Sequence, residues 1–393
     1  MKILYFCQLF PPALHGGGEY IFFQWAKELI RRGHKVFVVT QRLKGVKDFE
    51  YINSISVYRV GPATEYKGTL PPGLFENLGY VISAFVKGMA IIAKNGIDII
   101  HSNTYAPALP GQLCAITSRK SHIITFHDVY FLTERRFWKK WASQRNISHS
   151  ITVVGPFVER LILRFPAKVF HTVSETSKKD LSMCGVKKIL VIPNGINLGD
   201  YDATSSNNVN THQAVYIGRL VFYKNIDIVI RAMEKVVKKI PDAQFVIVGD
   251  GPYRKNLEGL VKDLKLMNNI IFTGRISHNE KVKLLNESSF LILPSLVEGF
   301  GIVILEAYAC KKPVLTSNVM PLPEIVEDGR TGFTAPPFDS DVWTEKIIYL
   351  FENPPQAQEM GIKGYENLMQ RYLIERVVDE LEKLYIYLLR ANR

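Results

Sequence analysis

The sequence predicts an α/β protein made of two doubly wound, Rossmann-like domains in series. Its 393 residues are too many for one typical hydrophobic core and suit two domains. In the second half, short apolar strands alternate regularly with helices, and the first half shows the same rhythm less cleanly. Short apolar strands between helices indicate a parallel sheet that is covered on both faces.

The first half contains five short apolar runs and two longer helical segments. The predicted strands are residues 3–6, 36–40, 97–101, 122–126 and 169–173. The predicted helices include residues 19–32 and 78–95. The apolar stretch of the second helix is interrupted by Lys87 and two glycines, so we expect it to fall short of a membrane-spanning helix of about 20 residues.

The second half repeats strand and helix more regularly. The predicted strands are residues 214–217, 244–248, 270–273, 290–293 and 313–316. The predicted helices are residues 227–240 and 254–266, a helix starting near residue 278, residues 303–310, and a closing turn at 323–327. Residues 201–213 are polar and predict a linker or an exposed loop, whereas residues 372–389 have the spacing of an amphipathic helix.

Composition is that of a globular protein, with 47% hydrophobic and 22% charged residues. The four cysteines, at positions 7, 114, 184 and 310, form no C-x-x-C pair. Their scatter argues against a metal site or a disulfide framework and favours a reducing compartment. The N-terminus runs straight into a strand without the layout of a signal peptide, so we expect a cytoplasmic protein.

The net charge of +12 is concentrated in the first half of the chain. Residues 1–200 carry 26 Lys and Arg against 13 Asp and Glu, whereas residues 201–393 carry 23 against 24. A positive first half predicts an anionic partner for that half of the chain. One expected partner is an anionic membrane at the cytoplasmic side.

One segment of the first half interleaves cations with aromatic residues. Three interpretations stay open for it: a solvated helix face, contact with an anionic membrane surface, or an acceptor site. No nucleic-acid recognition fold is evident, and no nucleic-acid partner is predicted. The residues concerned are Arg135, Arg136, Trp138, Lys139 and Lys140.

Two glutamates, Glu298 and Glu306, bracket seven residues of the sequence Gly-Phe-Gly-Ile-Val-Ile-Leu. The first stands on a Gly-rich turn, and the second is predicted about two turns into the following helix. Since a helix rises about 1.5 Å per residue, eight positions span about 12 Å. The free N–H groups of the helix start lie between the carboxylates and suit an anion. The pattern favours a hydroxylated ligand with a diphosphate in its middle.

Arg219 and Lys224 lie on a loop behind Gly218, at the end of a predicted strand. A diphosphate needs cations or a metal beside it, and Arg offers a planar fork of donors where Lys offers a point charge. We therefore predict that these two side chains bind phosphate in place of a metal. The alternative is a pair of solvated cations at a helix entrance.

Two further patterns concern metals and nucleotides. The sequence at 339–341, Asp-Ser-Asp, has the form of a metal site but precedes a helix, so we predict that it caps the helix. The three glycines at 16–18 follow the first strand without the spacing of a dinucleotide fingerprint and are weak evidence for NAD. No metal and no cofactor are predicted.

Other motifs occur in order along the chain: Gly-Gly-Gly-Glu at 16–19, Phe-His-Asp at 126–128, Val-Ser-Glu-Thr-Ser-Lys at 173–178, Pro-Asn-Gly-Ile at 193–196, Gly-Arg-Leu at 218–220, Val-Gly-Asp-Gly-Pro at 248–252 and Phe-Thr-Gly at 272–274. Together with the two glutamates, this set resembles the retaining glycosyltransferases of family 4, which have the GT-B fold. The resemblance covers nearly the whole chain.

The resemblance implies two domains that face each other across a cleft. Residues 1–198, joined by a crossover helix at 372–393, would form the acceptor side, and residues 199–371 the donor side. The implied reaction moves a sugar from a UDP-, GDP- or ADP-sugar to a hydroxyl acceptor, such as a lipid-linked molecule or a glycan precursor, and retains the anomeric configuration. The alternative is a nucleotide-sugar epimerase or hydrolase on the same architecture.

The resemblance also implies roles for individual residues. Arg219 and Lys224 would hold the donor phosphates, Glu298 the sugar hydroxyls and Glu306 the ribose hydroxyls, although Glu306 could instead be a helix carboxylate paired with a lysine. His127 would contact the transferring centre, and Asp128 would orient its ring or cap the next segment. The remaining donor-binding positions are Gly16, Gly17, Gly218, Gly299, Phe300, Gly301, Ile302 and Val303.

Overall fold

A computed structural model describes residues 1–13, 17–65, 74–129, 139, 151–201 and 210–391. The chain divides into two compact units, where the sequence predicts boundaries after residues 198 and 371. Unit 1 comprises Met1–Asn194 and Ile374–Arg393, and unit 2 comprises Gly195–Leu373. Each is an α/β unit built on a largely parallel sheet, so the fold class predicted from the sequence is confirmed.

Unit 1 contains an eight-stranded sheet. Its strands are β1 (Lys2–Phe6), β2 (Lys35–Leu43), β3 (Phe49–Ile52), β4 (Ile55–Thr64), β5 (Ile99–Asn103), β6 (Ser121–Phe126), β7 (Val169–Thr172) and β8 (Ile189–Val191). Their order is β3-β4-β2-β1-β5-β6-β7-β8, and only β3 and β4 pair antiparallel. The sequence missed the β3–β4 hairpin and β8. Strand β3 is partly exposed and Glu50 interrupts its apolar residues, whereas β8 is a partly exposed strand of only three residues.

In the part of unit 1 that the structure describes, five helices connect these strands. They are α1 (Gly17–Arg31), α2 (Leu74–Asn95), α3 (Ala108–Ser118), α4 (Ile151–Ile162) and α5 (Glu175–Met183). Helix α2 has 22 residues and starts earlier than predicted. By length and composition alone, its residues Phe75–Asn95 could cross a membrane. The expectation that this stretch is too short to span is therefore wrong, although one face of α2 packs into the core of unit 1.

Unit 2 contains a six-stranded, all-parallel sheet in the order β11-β10-β9-β12-β13-β14. The strands are β9 (Gln213–Ile217), β10 (Gln244–Val248), β11 (Ile270–Gly274), β12 (Phe290–Leu293), β13 (Val314–Ser317) and β14 (Gly332–Ala335). The helices are α6 (Ile226–Lys239), α7 (Arg254–Asp263), α8 (His278–Glu287), α9 (Ile302–Ala309), α10 (Ser340–Glu352) and α11 (Pro354–Arg371). This strand order is that of the Rossmann fold, with its reversal between β9 and β12.

The last helix, α12 (Ile374–Arg390), belongs to unit 1 and packs against α1. The Tyr385 hydroxyl lies 3.1 Å from that of Tyr5 on β1, and Arg32 Nη1 donates to Asp379 at 2.5 Å. The amphipathic helix expected at the end of the chain is therefore confirmed. Its buried residues are Ile374, Val377, Val378, Leu381, Leu384, Tyr385 and Leu388.

Candidate active site

The candidate site of unit 2 lies at the carboxyl ends of β9 and β12, where the strand order reverses. In open α/β sheets, ligands bind at this switch point. The loop after β9 carries Arg219 and Lys224, and the loop after β12 carries Glu298. The topology of the sheet therefore brings together loops that are distant in sequence.

Lys224 and Glu298 form an ion pair between these two loops. Their side chains are only 11% and 13% exposed, and Ser295 Oγ donates to the same Glu298 oxygen at 3.0 Å. Arg219 Nη2 lies 3.3 Å from the Tyr223 hydroxyl, to which it donates. The lysine and the carboxylate thus compensate each other at a place that is largely withdrawn from water.

The start of α9 follows Glu298 after a tight turn. Gly301 has φ 91° and directly precedes the helix. The first helical residue is Ile302, so α9 starts one position earlier than predicted. A Cβ atom at Gly301 would lie 3.0 Å from Ile304 Cδ1 and 3.1 Å from Leu322 Cδ2. The N–H groups of the first helical turn have no partner within the helix and carry its positive dipole end. The loop thus presents backbone donors beside the Lys224–Glu298 pair.

Glu306 lies only a little more than one turn into α9, because the helix begins at Ile302. The expected two turns, and the helical rise used for all eight positions, are therefore wrong. Glu306 is 7% exposed, and its Oε1 accepts from Lys281 Nζ at 2.6 Å and from Tyr201 OH at 3.0 Å. The lysine pairing weighed as the alternative does occur. Both contacts use one oxygen, so Oε2 retains acceptor capacity.

Glycines allow the loops after β9 and β10 to touch. Gly249 has φ 128°, and a Cβ atom there would lie 1.9 Å from the Gly218 carbonyl oxygen. A Cβ atom at Gly251 would likewise lie 2.3 Å from the Leu220 carbonyl oxygen. The Val-Gly-Asp-Gly motif therefore has a packing reason, which is the close approach of a second loop behind Arg219.

Replacing Gly249 by alanine is expected to destabilise unit 2 by about 1–3 kcal/mol, since the residue has a left-handed backbone and no space for a side chain. Thermal unfolding of the two proteins measures the difference. Gly259→Ala is the matched control, because that glycine lies in α7 with nothing within 4 Å of an added Cβ. Equal losses in both variants would contradict the packing role of Gly249.

In unit 1, the structure brings His127 next to the glycine-rich start of α1. A Cβ atom at Gly18 would lie 2.8 Å from His127 Nε2. Burial, together with His171, lowers the pKa of His127 to about 3, so the ring is neutral at pH 7. In the part of the chain that the structure describes, its buried Nε2 atom has no hydrogen-bond partner. An imidazole with so low a pKa is a weak base, so His127 suits a polar contact better than general-base catalysis.

Several predicted residues lie outside the described residues. They are Gly16, Arg135, Arg136, Trp138 and Lys140. Lys139 is described and is exposed. The helix cap predicted at 339–341 is confirmed, because Asp339 Oδ1 accepts from the backbone N–H groups of Asp341 and Val342 at the start of α10. Among the described residues, no group of three His, Cys, Asp or Glu side chains could hold a metal ion.

Sequence reasoning missed four residues of the unit 2 site. Tyr223, Ser295, Tyr201 and Lys281 contact the predicted residues, but only the fold brings them there. Tyr223 and Ser295 lie within the loops that carry Lys224 and Glu298. Their closeness in sequence to these two residues could have identified them as site residues. Tyr201 and Lys281 come from remote segments, and no local pattern indicates them.

Two family descriptions match the chain, "Glycosyltransferase Family 4" over residues 15–200 and "Glycosyl transferases group 1" over residues 200–367. An uncharacterized glycosyltransferase of Methanocaldococcus jannaschii is 30% identical over 366 residues, which are 88% of this chain and 92% of that protein. The gpi3 subunit of the phosphatidylinositol N-acetylglucosaminyltransferase of Schizosaccharomyces pombe is 27% identical over 94% of this chain and 77% of its own length. The N-acetyl-alpha-D-glucosaminyl L-malate synthase of Bacillus anthracis is 24% identical over 96% of each chain.

Solved structures share the fold over the whole chain. Sucrose-phosphate synthase from Thermosynechococcus elongatus has a TM-score of 0.80 at 23% identity and covers 99% of each chain. The Anabaena protein HepE, solved in complex with UDP and glucose, has a TM-score of 0.73 at 21% identity and covers 98% of this chain and 99% of its own. At these identities the likeness establishes the two-domain fold.

Proposed function

This chain belongs to the family 4 glycosyltransferases, and we propose that it moves a sugar from a nucleotide diphospho-sugar to a hydroxyl acceptor with retention of the anomeric configuration. The observation that carries the proposal is the buried Lys224–Glu298 pair beside the start of α9. It combines a cation, a carboxylate and backbone donors, which are the groups that a diphospho-sugar requires.

The phosphates of the donor bind to Lys224, Arg219 and the N–H groups between Phe300 and Val303. Glu298 then accepts hydrogen bonds from sugar hydroxyls, and Glu306 accepts them from the ribose through Oε2. During transfer, the bond between the anomeric carbon and the phosphate oxygen breaks, and its electron pair stays on the phosphate. The two cations stabilise the charge that develops there, which is electrostatic catalysis without a metal.

The new glycosidic bond forms on the face from which the phosphate departs. The acceptor hydroxyl supplies the attacking oxygen, and its proton passes to the departing phosphate oxygen. His127 contacts the donor sugar as a neutral polar group, since its low pKa leaves little basicity at pH 7. The donor side lies in unit 2 and the acceptor side in unit 1, with cytoplasmic activity.

A UDP-sugar is the first donor to test. HepE was solved with UDP and glucose, and the names of the Schizosaccharomyces and Bacillus relatives specify N-acetylglucosaminyl transfer. We therefore propose an N-acetylhexosamine or hexose carried on UDP. For the acceptor, the relatives differ, since one acts on phosphatidylinositol and another forms an L-malate product, as their names state.

A thermal-shift panel of UDP-, GDP- and ADP-sugars tests this proposal. One nucleotide class is expected to raise the melting temperature, corresponding to about 2.7 kcal/mol at 100 times Kd. The shift is expected to persist with excess chelator, because Arg219 and Lys224 take the place of a metal. No shift with any donor, or one that requires a divalent cation, would contradict the proposal. Product analysis with donor alone separates transfer from epimerisation or hydrolysis.

A further inference from the structure

Helix α2 of unit 1 is apolar on two opposite faces. One face packs into the core, where Tyr80, Ala84 and Ile91 are buried. The other face exposes Phe75, Leu78, Ile82 and Val86 by 56% to 86% of their surface. The spacing of three or four residues places these four side chains in one line along the helix. An exposed helix face is normally polar, so this line indicates a partner.

Helices α3 and α4 continue this exposed apolar surface. Successive connections β4–α2–β5, β5–α3–β6 and β6–α4–β7 step across the sheet in one direction, so right-handed crossovers place all three helices on the same side. Helix α3 contacts α2, and both α3 and α4 have exposed large apolar residues. We call the whole set the apolar face: Phe75, Leu78, Ile82 and Val86 on α2, Leu113 and Ile116 on α3, and Val154, Phe157 and Leu161 on α4.

The charges that the structure describes around the apolar face are mostly positive, although Glu76 lies half-buried in the first turn of α2. Lys94 at the end of α2, Arg119 at the end of α3, and Arg160 and Arg164 at the end of α4 are all exposed. The carboxylate of α4, Glu159, is 1% exposed and accepts from the Tyr105 hydroxyl. An apolar face with a cationic surround matches the two layers of an anionic membrane surface, acyl chains and headgroups.

We propose that the apolar face docks unit 1 on an anionic lipid bilayer, with its side chains at the headgroup–acyl boundary and the four cations among the headgroups. Helix α2 lies on the membrane rather than crossing it, because its other face belongs to the core of the folded unit. A second copy is a poorer occupant, since an isologous interface would bring the cations of both copies into one apolar interface without added carboxylates. The proposal is independent of the donor chemistry.

Flotation of the full chain with vesicles tests the docking surface. Wild-type protein is expected to float with phosphatidylcholine vesicles that contain phosphatidylglycerol, and much less with phosphatidylcholine alone. The variant Ile82→Asn with Val86→Asn is expected to reduce the bound fraction by about tenfold or more, because two apolar side chains leave the interface. The variant Arg160→Gln with Arg164→Gln is expected to reduce the preference for anionic vesicles.

Controls keep the test decisive. Phe338→Asn removes a single exposed aromatic residue of unit 2 and is expected to float like the wild type. All variants change exposed side chains, and their melting temperatures and donor-induced thermal shifts report retained folding and donor binding. Absence of wild-type flotation, equal flotation with neutral vesicles, or unchanged flotation of the α2 variant would overturn the proposal. If the wild type without vesicles sediments as a dimer and the α2 variant sediments as a monomer, the apolar face binds a second copy instead of a membrane.

Discussion

Replacing Lys224 by alanine is expected to lower kcat by about 10²–10³-fold, because the departing phosphate loses one of its two stabilising cations. The same change strands Glu298, whose side chain is 13% exposed and would keep only Ser295 as a donor among its present contacts. We therefore expect the single variant to lose up to about 3–5 kcal/mol of stability. Steady-state kinetics and thermal unfolding, measured together, give the two effects.

The double variant Lys224→Ala with Glu298→Ala separates catalysis from stability. Removing both charges is expected to restore much of the stability, because no unpaired carboxylate remains, while activity stays low. Lys235→Ala is the matched control, since that lysine also forms an ion pair in unit 2, with Asp341, but both partners are largely exposed. Near-wild-type kcat for Lys224→Ala, or an equal loss for Lys235→Ala, would exclude the proposed phosphate role.

The sequence predicts the residue types of this site better than their contacts. Lys224, Arg219 and Glu298 are recognisable because each lies on a loop at the end of a short apolar strand. That Lys224 and Glu298 pair depends on the reversal of strand order between β9 and β12, a property of the whole sheet. The position of Glu306 was misjudged because all eight positions from Glu298 were counted as helical, whereas the turn through Gly301 precedes the helix.

Element prediction failed where burial is incomplete. Strands β3 and β8 lie at the two edges of the unit 1 sheet and alternate between exposed and half-buried positions. Glu50 interrupts the apolar residues of β3, and β8 has only three residues, so neither has the longer apolar run of the central strands. Central strands such as β5 and β6 are buried throughout and were predicted to within two residues. The pattern of hydrophobic residues indicates which residues are buried. It therefore predicts strands in the core of a sheet but not at its partly exposed edges.

A buried hydrogen-bond chain in unit 1 was not predicted at all. His171 Nε2 faces the Ile192 carbonyl oxygen at 2.9 Å and must donate to it, so in the neutral ring Nδ1 accepts from the Thr125 hydroxyl at 2.9 Å. Thr125 Oγ1 in turn accepts from His101 Nε2 at 2.6 Å, and His101 Nδ1 accepts from the Tyr385 hydroxyl at 2.7 Å. In this chain each group donates its hydrogen bond to the next, from Tyr385 on α12 through His101 on β5 and Thr125 on β6 to His171 on β7.

This direction requires both imidazoles to be neutral. Burial and the neighbouring histidines hold the pKa of His101 well below its ordinary value, and burial lowers the pKa of His171 to about 4. If both rings were protonated, two N–H groups would point at the single Thr125 oxygen. Burial also lowers the pKa of His122, between Ser102 and Gln112 on the other face of the sheet, to about 3.

Unit 1 is therefore expected to lose stability as the pH falls from about 6.5 towards 4. The unfolded chain binds protons on these histidines below about pH 6.5, whereas the folded chain does so only below their lowered pKa values. Stability thus rises with pH within that window. His122, His127 and His171, whose pKa values burial lowers to about 3, 3 and 4, each contribute a loss of about 2 kcal/mol at pH 5 relative to neutral pH. Together they contribute about 6 kcal/mol, and the buried His101, whose pKa is also lowered, adds to this loss.

Hydrogen exchange between pH 7 and pH 5, corrected for intrinsic rates and followed by mass spectrometry, measures this loss separately for peptides of each unit. The variant His122→Gln is expected to remove about a quarter of the pH dependence of unit 1, because glutamine does not titrate and three other buried histidines remain. The control His212→Gln removes a partly exposed imidazole of unit 2 and is expected to leave unit 1 unchanged. Equal protection of unit 1 at both pH values would show that the buried rings titrate in the folded chain as they do in the unfolded one.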